Sequence, residues 1–204
     1  MSLKVEFDKF YKNSFGEQEL LHAIFYNFPI GIRFEIGMGS YKEESYVSNA
    51  VYRASAIFNE LFNKNDTVFV VINSFEDSPN DLADSDISIV RPLISQIQEE
   101  CKFTFTSSDN EFSCDRYILK ANISDIQIKR LIEEIVWSDI DGRNSLQTSV
   151  HLINLRNNII YHLYDDRGLD VISSEKEYLK DVYTKFNDWI LDYDRKKIDS
   201  IFAI

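Results

Sequence analysis

Between positions 151 and 170 the chain gathers the side chains best suited to chemistry: His151, His162, Tyr164, Asp165, Asp166, Arg167 and Asp170. Carboxylates beside imidazoles suit a divalent metal, and two carboxylates held together suit proton transfer. Outward-facing, the same acids would instead form a binding surface for a basic group. Which of these applies depends on the face of the backbone that each side chain leaves, so the elements come next.

Residues 150–155 and 159–165 are rich in Ile, Leu and Tyr, which favour a pleated, half-buried surface. Asn157 and Asn158 lie between them and tolerate positive φ, so the pair reads as a two-residue hairpin. That register pairs Leu155 with Ile160, Ile153 with His162 and His151 with Tyr164. It puts His151, His162 and Tyr164 on one face, and Val150, Leu152, Tyr161 and Leu163 on the other. Asp166-Arg167-Gly168-Leu169 follows as a turn in which Gly168 takes φ > 0, with 169–172 as a third antiparallel strand. Asp165 then faces Asp170, and like charges directly opposite are destabilising. Either Asp165 or Asp166 caps the turn and Arg167 neutralises the rest, or the acids form a functional pocket with His162 and Tyr164. In this register His162 points away from Asp165, which weighs against a metal site, and no metal ligand or catalytic residue is assigned.

Ser174 to Glu177 fits a capping box for a helix over 175–190, whose aromatic stripe ends in Trp189, expected to be buried and structural. A last short helix begins near Asp192 or Asp194, with Ile198, Ile201 and Phe202 inward.

The run HLYDDRGLDVI at 162–172, followed by NDWILDYD at 187–194, resembles the signature of an uncharacterised bacterial domain family of Bacillus-like species that carries only a domain-of-unknown-function label. Weaker likeness extends to IRFEIG at 32–37 and to RAxxIFxxLF at 53–62. The resemblance implies a family and no activity, because that family has no catalytic residues to carry over.

The chain has 204 residues, 44% hydrophobic and 14% aromatic, enough for one domain with a substantial core. Its net charge of −12 disfavours nucleic-acid binding, which draws on phosphate contacts, and would steer a basic protein partner toward it. The opening residues lack the apolar centre of a signal peptide, and no run reaches membrane-spanning length. Cys101 and Cys114 fit no metal spacing and read as free thiols of a reducing, cytoplasmic compartment.

Helical spacing marks 4–15, continues through 17–26 around His22, and returns at 45–62, in a helix near Arg91-Pro92, and at 124–137 behind Ser124. Residues 30–36 alternate strictly, with Ile30, Ile32, Phe34 and Ile36 inward and Arg33 and Glu35 outward. The Gly-rich stretch after them lacks the spacing of a phosphate loop. Residues 67–72 are a continuous β-branched run, expected as a central strand and as a parallel neighbour of 30–36. Residues 75–86 read as a solvated acidic loop, 102–106 and 116–122 as strands, and 139–145 as a loop turning at Asp141-Gly142.

The fold class is therefore α+β: a single domain over 1–204, with an N-terminal helical segment at 1–28. A mixed, mostly antiparallel sheet of five to six strands is covered by helices, and the signature region at 145–204 supplies a C-terminal β-meander and two helices. The functional expectation is a non-enzymatic protein-binding module, immunity- or antitoxin-like, acting on a basic protein without cofactor, nucleic acid or membrane. The alternatives are a metal-dependent hydrolase or other enzyme built on Asp165, Asp166 and Asp170, and a structural or regulatory protein.

Overall fold

A computed structural model of the chain describes residues 1–21, 24–74, 85–111, 113–138, 140, 146 and 149–202. His22, most of the expected acidic loop at 75–86 and the Asp141-Gly142 turn lie outside them. The fold is α+β. Its strands are β1 (Gly31–Glu35), β2 (Thr67–Ser74), β3 (Glu99–Thr106), β4 (Ser113–Asn122), β5 (Ser149–Asn154), β6 (Ile159–Leu163) and β7 (Gly168–Ser173). They form one sheet in the order β1-β7-β6-β5-β2-β4-β3, every neighbouring pair antiparallel. The helices among the described residues are α1 (Leu3–Phe15), α2 (Tyr46–Leu61), α3 (Ser85–Val90), α4 (Ile128–Val136), α5 (Lys180–Lys185) and α6 (Arg195–Phe202).

Both faces of the sheet are covered, and β2 shows why. Val68, Val70 and Ile72 pack into a core with α2 and α4, while Phe69 and Val71 pack into a second core under α1. Each such side chain contributes about 1.5–3 kcal/mol when fully buried. Five consecutive residues at zero exposure therefore anchor the strand from two sides. The α2 stripe of Ala50, Ala54, Ile57, Phe58 and Leu61 recurs at three and four positions and lies against the first core. On the opposite side α1 puts Leu3, Phe7 and Phe15 on the second core and stops at Gly16, whose N–H still bonds the Lys12 carbonyl at 3.0 Å and whose φ of +76 turns the following chain off the helix.

Several expectations need correction. Seven strands form instead of five or six, because β3 starts at Glu99 and becomes one edge of the sheet. β1 and β2 run in the same direction but have three strands between them, so they are not neighbours. The chain continues from α1 not as a helix over 17–26 but as irregular backbone with one 3-10 turn at Ile24–Tyr26. The helix expected near Arg91-Pro92 ends at Val90 as α3, and Arg91–Leu93 is a 3-10 turn. α4 begins at Ile128, after a separate 3-10 turn at Ile123–Asp125. The helix over 175–190 breaks into a 3-10 turn at Lys176–Leu179, α5, and a further 3-10 turn at Asn187–Trp189. The break has a cause downstream: Ile190 bridges to Phe34, and the Leu191 N–H bonds the Arg33 carbonyl at 2.9 Å, so the chain must leave the helix to cover the β1 edge. The expected cap at Ser174 does not form: the N-cap position is Glu175 with no side-chain cap bond, and Ser173 Oγ accepts the Glu175 N–H at 3.2 Å just before the helical turn.

Candidate functional site

The α1 face of the sheet carries a polar row that crosses four strands. The ladders place Arg33 on β1 opposite Asp170 on β7, and Asp170 opposite His162 on β6. One step beyond the hydrogen-bonded β5–β6 ladder, the His151 and His162 rings stack at 4.0 Å. All four side chains are buried. The irregular segment after α1 closes over them. Leu21 O lies 3.1 Å from His151 Nε2, and because a carbonyl only accepts, that nitrogen carries the proton. The Phe25 N–H donates to Asp170 Oδ2 at 3.0 Å.

Arg33 is the residue that the sequence reading missed. Strict alternation put it outward, and it does leave the α2 face; but the other face is covered too. Its Nε and Nη2 donate to Asp170 Oδ1 and Oδ2 at 2.6 and 2.8 Å, a bidentate pair. Its Nη1 lies 3.8 Å from Asp194 Oδ2, and the Asp194 carboxylate accepts from Tyr26 Oη at 3.1 Å. The Phe25, Tyr26 and Tyr164 rings surround the guanidinium at 5.2, 4.6 and 5.7 Å. Burial pulls the Arg33 pKa down, but the bond to Asp170 and its charge outweigh this and hold it above the ordinary value. Burial pushes the Asp170 carboxyl up against the pull of Arg33 and the Phe25 N–H, and Asp194 adds to the push. Burial, followed by the charge of Asp170, likewise raises the Tyr164 phenol.

The expected acidic cluster does not form. The β6–β7 ladder pairs Leu163 with Leu169, three residues away from the register that opposed Asp165 to Asp170. An odd slip exchanges faces, so Asp170 joins His162 and takes its cation from Arg33. The β5–β6 slip is two residues, with a four-residue loop at 155–158 in place of a tight turn and Asn158 at φ 50. An even slip keeps faces, so His151, His162 and Tyr164 share a face as expected.

Asp165 folds over its own turn, accepting from the N–H groups of Arg167 and Gly168 at 2.8 and 3.0 Å and pairing with the exposed Arg167 guanidinium. Asp166 neither caps the turn nor joins an acidic pocket; it is buried and accepts from Tyr46 Oη at 2.6 Å. Burial, then this bond, raises the Tyr46 phenol. Gly168 does not adopt positive φ; it is glycine because a Cβ there would collide with the Tyr164 ring. Asp165, Asp166 and Asp170 thus end in three separate sets of bonds. Among the described residues no group of three or more His, Cys, Asp or Glu is spaced to hold a metal ion.

Trp189 is half-buried rather than fully buried. It stacks on Phe186 at 4.7 Å, meets the exposed Tyr52 at 6.1 Å and carries the Arg53 guanidinium over its ring at 4.9 Å. Arg53 in turn donates to the Glu35 carbonyl at 2.8 Å and touches Met38. On the far side of Tyr52, α2 and α4 leave a groove of about 570 Å³ lined by Tyr52, Trp137, Glu44, Glu133 and Lys129. Tyr52, at 65% exposure, joins the groove to the Trp189 patch.

The chain belongs to the family described as Domain of unknown function (DUF3885). The family model matches residues 7–194, nearly the whole fold. The chain is also similar to the uncharacterized protein YnaE of Bacillus subtilis (strain 168), 24% identical over 201 residues that cover 88% of this chain and 94% of that one. No solved structure matches it significantly. Within this family member the four stretches that carried the resemblance meet in space. Arg33, Asp170 and Asp194 come from three of them and form one charged centre. Arg53, from the fourth, lies over Trp189, which belongs to the same stretch as Asp194. Among the described residues no helix is long and apolar enough to cross a membrane.

Proposed function

We propose that this chain is a non-enzymatic protein-binding module that holds a basic partner on the surface centred on Tyr52, in the manner of an immunity or antitoxin protein that acts by occlusion. The observation that carries the reading is the groove between α2 and α4. Two aromatic side chains, Tyr52 and Trp137, and the Glu44 carboxylate line one cleft, beside Glu133, which pairs with Lys129 at 3.7 Å and would exchange that partner for an incoming cation. Aromatic faces and carboxylates together suit an incoming Arg or Lys, which gains a cation–π contact and an ion pair at once. The rest of the surface fits the same partner. Trp189, Arg53, Met38 and Tyr52 are of the residue types enriched at interface centres, while Glu35, Glu43 and Asp188 are exposed around them. The net charge of −12 speeds encounter with a basic protein.

The test is capture from an extract of the native cell at low salt, repeated with substituted surfaces. The expected result is a basic protein retained by the parent and lost from both Tyr52→Ala and the Glu44→Lys, Glu133→Lys double variant. Glu6→Lys, on the opposite face of the sheet, should still retain it. Equal capture by all four proteins, or no capture by the parent, would refute the reading.

A further inference from the structure

A second buried arginine stands apart from everything above. Arg116, on β4, is 5% exposed. Among the described residues it hydrogen-bonds only to neutral oxygens, from Nε to Asn73 Oδ1 at 2.7 Å and from Nη2 to Leu20 O at 2.9 Å, and no carboxylate forms an ion pair with it. Its guanidinium carbon sits over the Phe105 ring, 3.9 Å from the centroid. An arginine has five N–H groups, so three remain for a further acceptor. The space in front of it is a cleft of about 460 Å³ between α1 and the β3–β4 edge, with Phe7, Tyr11, Phe103 and Phe105 among its walls.

We propose that this cleft is a binding site for a small monocarboxylate with a flat apolar body, such as an aryl carboxylate, whose carboxylate pairs with Arg116 and whose body lies among the phenylalanines. The geometry favours a carboxylate because a planar guanidinium presents parallel N–H groups that match its two oxygens. A single negative charge fits better than a phosphate dianion. The rim lysines are already engaged, Lys4 with Asp8 and Lys12 with Glu17. The Glu19 carboxylate also stands at the mouth, where it accepts the Ser108 N–H at 2.6 Å. A second negative charge would meet those acids without a free cation. The volume suits a small ligand: Phe7, Leu20, Phe103 and Phe105 give apolar walls, Arg116 is the buried charged group of the lining, and Lys4, Asp8, Lys12, Glu17 and Glu19 line it from more exposed positions. Burial lowers the Arg116 pKa, outweighing the opposing pulls of Cys114, Tyr11, Glu19 and Asp8.

The experiment titrates the full chain with phenylacetate and indole-3-acetate, following the arginine Nε–H resonances and the melting temperature, with phenylacetamide and inorganic phosphate as comparisons. The aryl carboxylates should bind saturably and shift one buried arginine signal. The amide should bind about ten- to a hundredfold more weakly, the worth of a charged hydrogen-bond pair, and phosphate should leave the signal in place. Arg116→Met should abolish the difference between acid and amide, and Glu19→Gln should tighten acid binding. Should Arg116→Met fail to fold, the acid–amide ratio on the parent and the Glu19→Gln result still decide. The inference is overturned by equal binding of acid and amide, by unchanged binding in Arg116→Met, by phosphate shifting the same signal, or by no acid binding up to about 10 mM.

Discussion

Arg33 and Arg116 are buried on the same face of one sheet, with four strands between them, and they are finished in opposite ways. Arg33 has a bidentate carboxylate, a second carboxylate behind it and three aromatic rings around it. Arg116 has one ring and two neutral oxygens, and opens onto a cleft. A buried charge that is fully paired locks elements together: Arg33 ties β1 to β7, to the C-terminal segment at Asp194 and to the strap at Phe25. A buried charge left with neutral partners costs stability, and the fold tolerates that cost where the charge has something else to bind. The difference separates a structural centre from a site.

That comparison is broken first at Arg33. Arg33→Met should cost about 3–5 kcal/mol at neutral pH, the range for a buried pair stripped of one partner, because Asp170 and Asp194 would both be left without a cation. The pH dependence has a definite sign. Burial and Asp194 already push Asp170 upward, and losing Arg33 removes the largest opposing influence. In the variant the folded pKa therefore lies above the unfolded one. The deficit is full above that raised pKa and shrinks as pH falls through it toward the unfolded value. Urea melts at pH 7 and pH 4 should show the gap to the parent narrowing in acid; a gap that widens would mean that Arg33 is not what holds these carboxylates.

The next effect is at Gly168, which belongs to the same centre through Tyr164. A methyl group there drives into the Tyr164 ring that flanks Arg33, so Gly168→Ala should cost about 1–3 kcal/mol by overpacking. The Tyr164→Leu background should recover most of it. A loss of the same size in that background would instead point to backbone conformation, as the sequence alone suggested.

Arg116→Met should cost less than Arg33→Met, about 1–2 kcal/mol, since the acceptors left behind are neutral, and its deficit should stay flat between pH 7 and pH 4. If it costs as much as Arg33→Met, Arg116 is a structural pillar and the contrast between the two arginines fails.

The contrast was half legible in the sequence, and the parity of strand slips explains which half. The β2 run of Val68 to Ile72 and the α2 stripe announced a central strand and a core helix without ambiguity. The β5–β6 register was misjudged by two residues, which leaves every side chain on its expected face, so the His151, His162 and Tyr164 grouping survived. The β6–β7 register was misjudged by three, which turns Asp170 over and gives it the wrong partner. Arg33 was hidden for a different reason. Alternation tells which residues share a face but not whether the second face meets water, and here the strap at 24–28 and α1 cover it. For Arg116 the strand was legible, but nothing local in the sequence marks a cation that lies beneath Phe105 and beside Leu20.

The smallest expected effect is at Arg167, the basic residue to which the sequence reading gave the largest role. Its side chain is 71% exposed, whereas its partner Asp165 is buried. Asp165 keeps its ties to the turn through the N–H groups of Arg167 and Gly168, and both belong to the backbone, so neither is lost when the guanidinium is removed. An ion pair with one exposed member is worth about 0–1 kcal/mol and is screened by salt. Arg167→Ala should therefore melt within about 1 kcal/mol of the parent, and the remaining gap should close in high salt. Asp165→Ala should lose more, because it leaves two N–H groups of the turn without their acceptor. If Arg167→Ala proved the more damaging of the two, the cation and not the turn would be holding this corner, and Arg167 would belong beside Arg33 among the charges that the fold depends on.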